Sequence, residues 1–404
     1  MYNLLSGLTV VEGAAFIAGP SCTLHMAQMG ATVIRFDQIG GGPDSARWPI
    51  GPKGQSLYWE GLNKGKKSLA INLSDPAGRE LAQRVATSGD GLFVTNFPVS
   101  GFLSYEKLSA LRDDLVCLRV MGWADGTPAV DYTINASVGL PWLTGHPDDP
   151  RPVNHVLPAW DLLAGAYGAF ALLAAERERQ ASGKGREVRL ALSDLAAATM
   201  GNLGNVAETL LSGGDRPRSG NNLFGAFGRD FGTADGERVM IVAITPRQWT
   251  GLIKALGIAG DIAALESELG VDFASDEGAR FTHRARVDAL VEGALSKLPL
   301  SACAEVFDST GCTWSIYRTL SQSLAQEPRL FGENPIFGEV THAGGDCYPT
   351  PGAAARIPAE ERFPAAASPS IGQHSDEILA TLLGMGSGEI GKLHDAGIIS
   401  GAKA

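Results

Sequence analysis

Leu8-Thr9-Val10-Val11-Glu12 is followed, after a turn from Gly13 to Pro20 and the run Ser21–Met29, by Gly30 and then by Ala31-Thr32-Val33-Ile34-Arg35-Phe36. The first and last of these runs are short, apolar and β-branched. That is the pattern of strands buried on both faces of a parallel sheet. Between them Ser21–Met29 reads as a helix, with Gly30 as the residue that ends it in a left-handed conformation. Strand, helix and strand in this spacing make a βαβ unit, the signature of a doubly wound α/β domain. The first strand is not followed by Gly-x-Gly-x-x-Gly, so a nicotinamide dinucleotide cofactor is not supported.

The pattern continues outward from that unit. Ile39-Gly40-Gly41-Gly42-Pro43-Asp44 is a turn-rich loop, and Leu69–Leu73 a third apolar run. Before it, the stretch around Gly65-Lys66 falls short of a P-loop, which would need Gly at Glu60 and Ser or Thr at Lys67. Pro76–Ala86 reads as a helix with Asp75 as its cap and Pro76 at its first position. Gly91–Thr95 and Leu115–Val120 are further strands, with the helix Tyr105–Arg112 between them. Ligands of doubly wound sheets lie beyond the carboxyl ends of the strands, which makes Asn96 and Phe97 candidates by position. Glu187–Leu192 is another strand, followed by an apolar helix to about Leu211. Leu211–Asn222 has the composition of a linker. The expected organisation is a large domain over 1–212, a linker and smaller α/β domain over 213–330, and a return segment over 331–404 that completes the large domain.

Bulk composition narrows the functional classes. A net charge of −11 over 404 residues argues against nucleic-acid binding as a general property, although a local basic pocket could hold a small anion. The five cysteines form no Cys-x-x-Cys pair, so neither a zinc site nor a disulfide framework is expected. Free thiols, the absence of a basic leader and the absence of a long apolar run point to a cytoplasmic protein without a membrane span.

Asn154-His155-Val156-Leu157-Pro158-Ala159-Trp160-Asp161 precedes the long apolar-periodic run Leu162–Glu178, which reads as a helix. From local pattern alone Asp161 is a capping carboxylate. The chain as a whole changes that reading. Ala18-Gly19-Pro20, Gly30-Ala31-Thr32-Val33-Ile34-Arg35, Asn63-Lys64-Gly65-Lys66-Lys67-Ser68, Thr95-Asn96-Phe97-Pro98, the Asp161 segment, Gly183-Lys184-Gly185 and Ile371-Gly372-Gln373-His374-Ser375-Asp376-Glu377-Ile378-Leu379 occur in one order. Together they resemble the family III CoA-transferases, the group that includes formyl-CoA transferase and the α-methylacyl-CoA racemases. Each motif is weak singly; seven in register cover essentially the whole chain.

The resemblance implies a large Rossmann-like domain, a smaller α/β domain and an interlocked homodimer. It also implies an acyl-CoA substrate, no cofactor beyond the CoA moiety, and a catalytic aspartate at Asp161. CoA would be met by Ile17, Ala18, Arg35, Lys64 and possible neighbours such as Lys67, with the adenine near Ile71, Leu73 and Ser74, and with Asn96 and Phe97. Backbone amides around Gly225 and Gly228 are candidates for stabilising an oxyanion. Arg47, Arg218 and Arg229 are candidates for holding a free carboxylate, since a guanidinium pairs with it through two bonds.

Two departures refine the expected chemistry. Formyl-CoA transferases carry Gln where this chain has Ile17. The racemases use a His that falls near Val130, so a proton-swapping pair lacks one member. His155 is near in sequence, but a lone His is commonly a hydrogen-bonded structural residue. Arg35–Gly42, Val130–Thr133, Asn154–Asp161 and Leu223–Phe231 are most similar to family members that move CoA between the C1 and C4 carboxyls of mesaconate. The expected reaction is therefore an intramolecular CoA transfer through an aspartyl anhydride and an aspartyl-CoA thioester. The alternatives are an intermolecular transferase using a donor such as succinyl-CoA, and an acyl-CoA racemase.

Overall fold

The structure is a computed structural model that describes residues 1–402. Its contacts divide the chain into two units. The first comprises Met1–Val138, His155–Leu210 and the chain from Glu333 onward; the second comprises Gly139–Asn154 and Leu211–Gly332. The sequence reading kept 1–212 in one piece, whereas residues 139–154 lie with the second unit.

The first unit is built on a seven-stranded sheet. Its strands are β1 (Thr9–Gly13), β2 (Thr32–Gln38), β3 (Lys67–Ile71), β4 (Leu92–Thr95), β5 (Val116–Met121), β6 (Arg186–Ala191) and, far along the chain, Ile399–Ser400. The spatial order is Ile399–Ser400, β3, β2, β1, β4, β5, β6, all parallel except the two-residue edge strand, which runs antiparallel to β3. Strand order reverses between β1 and β4. A crevice opens there at the strands' carboxyl ends, the general place for a ligand in this architecture. Val10, Val11, Leu92, Phe93 and Val94 have no solvent exposure. Burying each such side chain contributes about 1.5–3 kcal/mol, which fixes the sheet's register.

Two helices matter most for the site. Helix α1 (Ala18–Gln28) starts three residues earlier than its periodicity suggests. Pro20 is tolerated because it falls in the first turn, where a missing N–H costs no helical bond. The second of these helices runs from Ala159 to Ser182 and packs against α1. Gly165 allows the close approach, since a Cβ there would collide with Ser21 Oγ. Among the described residues no helix is long and apolar enough to cross a membrane.

Beneath the crevice lies a buried ionic cluster. Arg35, 1% exposed, donates to Asp37 at 2.8 and 2.9 Å, to Asp44 at 2.8 and 3.0 Å, to Glu12 at 3.3 Å and to Asn63 at 3.1 Å. Lys66 Nζ reaches Glu12 at 2.8 Å. Such a cluster survives burial only because every charge finds partners.

The second unit holds an antiparallel sheet of Phe227–Gly232, Arg238–Ala243 and Thr313–Ile316. Phe227, Phe231, Ile241, Trp249, Phe273 and Phe307 form its core. Its excursion Gly139–Asn154 is held by Arg218, which donates to the carbonyls of Pro141, Trp142 and Asp149.

Candidate active site

A cavity of about 380 Å³ lies in the crevice between the ends of β1 and β4. Ile17, Ala18, Arg47, Asn96, Phe97 and Asp161, six of the residues singled out in the sequence, line it together with Phe16, Tyr58, Val130 and Asp131. The Asn96 amide clips the two strand ends together: its Oδ1 accepts from Ala15 N at 3.1 Å and its Nδ2 donates to Ala15 O at 3.0 Å.

Asp161 occupies the third position of its helix rather than the cap, because Ala159 is the first helical residue. Its carboxylate has no hydrogen-bond partner among the described residues. Burial pushes its carboxyl up to about 6; the Asp131 carboxylate adds to the rise, and the Arg47 guanidinium opposes it. The result is an ionisable, unpartnered carboxylate at a cavity wall, the state in which a carboxylate is most available as a nucleophile.

The cap belongs instead to Asp131, the first residue of a short helix, Asp131–Ser137. Asp131 is fully buried. Its Oδ2 accepts from Trp160 N at 2.7 Å and from Asp161 N at 3.1 Å, and its Oδ1 lies 2.8 Å from His155 Nε2. His155 is thereby held by Asp131, consistent with a structural role. Replacing Asp131 with Asn removes a negative charge beside Asp161. The acid limb of kcat/KM is expected to move below its starting point near pH 6, read from a pH–rate profile. Because burial is the larger cause, the limb stays above the ordinary carboxylate range.

The wall opposite in sequence is set by Phe16 and Arg47. Phe16, at φ +70°, is the single non-glycine with positive φ among the described residues. Such backbone persists only where surroundings hold it; here its N–H donates to Asp44 Oδ2 at 3.1 Å. Asp44 ties that strained residue to the Arg35 cluster. The Arg47 guanidinium lies 5.5 Å from the centroids of both the Phe16 and Tyr58 rings, a cation–π sandwich that orients it while it remains exposed.

Other sequence candidates lie elsewhere. Arg35 was read as a phosphate partner, but its guanidinium is enclosed and paired inside the fold, so it cannot meet CoA phosphates without dismantling the cluster. Ile71 has no exposure. Leu73 and Ser74 follow the carboxyl end of β3, half-buried and exposed respectively, outside the cavity lining. Lys64 is buried, donates to Gly61 O at 2.9 Å and has its ammonium pushed down to about 8 by burial and then by Lys66. Lys67 pairs with Glu377 at 2.5 Å. Gly225, Gly228 and Arg229 belong to the second unit. Gly225 is a turn at φ +79°, and Gly228 lies in the strand paired with Arg238–Ala243. Arg229 bonds Asp288 at 3.2 Å and stacks on Phe231, and Arg218 is taken up by three carbonyls, so neither guanidinium is idle.

Sequence reasoning missed Phe16, Tyr58 and the role of Asp131. A positive φ leaves no signal at a phenylalanine. Asp131 lies thirty residues before Asp161, so its capping of that helix is visible only once the chain has folded.

The doubly wound sheet with its crevice between β1 and β4 sets the fold, and comparison with known proteins gives the family. The chain belongs to CoA-transferase family III, whose profile it matches over residues 5–375. It is 46% identical to the 2-methylfumaryl-CoA isomerase of Chloroflexus aurantiacus, covering 99% of each chain. It is 29% identical to the succinyl-CoA–D-citramalate CoA-transferase of the same organism, over 98% of each. Among solved structures, a CAIB/BAIF family protein from Brucella suis superposes with a TM-score of 0.75 at 25% identity, covering 94% of this chain and 99% of that one. A hypothetical protein from Mycobacterium tuberculosis shares the fold, with a TM-score of 0.74 at 22% identity over 94% of this chain and 99% of that one.

Proposed function

We propose that the protein moves CoA from C1 to C4 of mesaconate, converting 2-methylfumaryl-CoA into 3-methylfumaryl-CoA, with Asp161 as nucleophile. The observation that carries the reading is the unpartnered Asp161 carboxylate in the cavity of a chain 46% identical, end to end, to a 2-methylfumaryl-CoA isomerase. Asp161 attacks the C1 thioester carbonyl and expels CoA thiolate, giving a mixed anhydride. The thiolate attacks the aspartyl carbonyl, forming an aspartyl-CoA thioester and freeing mesaconate. Mesaconate presents its C4 carboxylate to that thioester, re-forming an anhydride and thiolate. The thiolate then takes the C4 acyl group and returns the Asp161 carboxylate. No proton is gained or lost overall.

Arg47 would hold the carboxylate that is not reacting, and the Ala18 and Gly19 amides at the start of α1 would face the developing oxyanion. No cofactor beyond the CoA of the substrate is required. Retaining mesaconate between steps favours reaction, since well-oriented intramolecular partners reach effective molarities on the order of 10⁵ M or more. The exposed apolar residues Leu163, Tyr167, Phe170, Leu203, Val206 and Leu210 support burial against a second copy in an intertwined homodimer.

The test uses 2-methylfumaryl-CoA with excess isotope-labelled mesaconate and separates the C1 and C4 thioesters by mass. Unlabelled C4 product is expected. Labelled product would instead support intermolecular transfer, the activity named for the 29% identical relative. Absence of C4 product would defeat the substrate assignment.

A further inference from the structure

Phe16 links β1 to α1 at φ +70°, where a glycine would sit without strain and a phenylalanine does not. Hydrogen bonds on both sides hold it there. Asn96 clips Ala15 through the Ala15 N–H at 3.1 Å and carbonyl at 3.0 Å. The Phe16 N–H donates to Asp44 Oδ2 at 3.1 Å, and the Ile17 carbonyl accepts from Ser21 N at 2.7 Å. Strain maintained in this way at a cavity wall points to a task for the side chain it presents. Core packing is not that task, because Phe16 is 39% exposed and lines the cavity.

The ring meets Arg47 instead. The guanidinium lies 5.5 Å from the Phe16 centroid on one side and from the Tyr58 centroid on the other. The Arg47 backbone is already fixed: its N–H donates to Asp44 O at 3.3 Å, and its carbonyl accepts from Ser56 Oγ at 2.5 Å. The remaining freedom is that of the long side chain, and the two rings limit it. Tyr58 is half-buried on the helix Leu57–Asn63, so its ring is held by packing. The Phe16 ring is exposed, so its place depends on the left-handed backbone beneath it. We propose that Phe16 is a positioning residue that fixes the reach of the Arg47 guanidinium across the cavity, and with it the length of dicarboxylic acyl group accepted between Arg47 and Asp161. The proposal rests on the reading of Arg47 as the anchor of the free carboxylate. Arg47 and Asp161 line one cavity and feel each other's charge. A guanidinium held between two rings offers a carboxylate one place. The acyl groups selected are those whose carboxylate reaches it when the thioester carbonyl meets Asp161.

Succinyl-CoA has as many bonds between carboxylate and thioester as the proposed substrate, and glutaryl-CoA is one methylene longer. Binding of both is titrated calorimetrically in Asp161→Ala, so that neither thioester is consumed, and again with Phe16→Gly, Phe16→Asn, Phe16→Tyr or Arg47→Ala added. With Phe16 in place, succinyl-CoA is expected to bind about 10-fold tighter than glutaryl-CoA. Phe16→Gly should bring the two within about twofold of each other, chiefly by weakening succinyl-CoA. It should melt near the parent temperature, since glycine takes φ +70° freely. Phe16→Asn also tolerates left-handed backbone and gives the same reading should the glycine variant not fold. Phe16→Tyr keeps the ring and should keep the preference, which a merely structural role would not require. A preference that is absent at the outset, that survives Phe16→Gly and Phe16→Asn, or that Phe16→Tyr abolishes as well overturns the proposal. Arg47→Ala separates it from the reading beneath it. If Arg47→Ala weakens succinyl-CoA while loss of the Phe16 ring leaves the preference intact, only the positioning role falls. If Arg47→Ala leaves succinyl-CoA binding unchanged, the carboxylate anchor falls with it.

Discussion

Asp161→Ala is expected to lower turnover by on the order of 10⁴-fold or more while the protein stays folded and binds CoA thioesters. Both halves of that expectation come from the geometry. The carboxylate takes part in every bond exchange of the proposed reaction, and its neighbours offer no substitute. Val130 is apolar, and Asp131 is committed to two backbone amides and His155. The fold, by contrast, takes no hydrogen bond from the Asp161 side chain. The pH dependence of stability sharpens the point. Its carboxyl lies near 6 in the fold against 3.8 ordinarily, so between those values the folded chain holds the proton more tightly than the unfolded chain. The stability that this proton confers is present below about pH 4 and is lost as pH rises through about 6. Alanine removes that pH-dependent burden. The variant should therefore melt higher relative to the parent at pH 8 than at pH 4, measured by thermal denaturation at both. Retained turnover would remove the covalent mechanism.

Arg47→Ala should have the second largest effect, a fall in kcat/KM of about 10²- to 10³-fold for an acid-bearing thioester. Among the described residues Arg47 is the one arginine lining the cavity, and the Phe16 and Tyr58 rings orient it without neutralising it. A lysine at this position cannot reproduce the planar two-bond contact or the stacking, so Arg47→Lys should recover little. Loss of Arg47 also removes the charge that holds Asp161 down. The acid limb of the pH–rate profile should then move above pH 6, opposite to the shift expected for Asp131→Asn. A limb that does not move would separate Arg47 from Asp161.

Much of this architecture was legible before folding. Buried parallel strands carry a strong signal, and the runs around Val10, Val33 and Val94 gave the doubly wound sheet and the crevice at its reversal. Ile17 and Ala18 came from the family resemblance, whereas Asn96 and Phe97 followed from that geometry. Asp161 did not: its local pattern indicated a cap, and only the ordered set of motifs pointed to chemistry. Arg35 shows why charge alone misleads. The family resemblance makes Arg35 a phosphate partner, until Glu12, Asp37 and Asp44, from three different stretches, are seen to enclose it. Tyr58 was invisible for the complementary reason, since nothing in Gln55–Glu60 marks a ring that comes to flank the Arg47 guanidinium. The edge strand Ile399–Ser400 was missed because two residues carry no periodicity.

The most direct test of the central claim traps the aspartyl acyl group itself. The enzyme is incubated with 2-methylfumaryl-CoA in the presence of hydroxylamine, digested and analysed by peptide mass spectrometry. Capture of either the anhydride or the thioester at the aspartyl carbonyl predicts a hydroxamate on Asp161, dependent on substrate. Full turnover with Asp161 unmodified, or a substrate-dependent hydroxamate on a different carboxylate, would contradict the account.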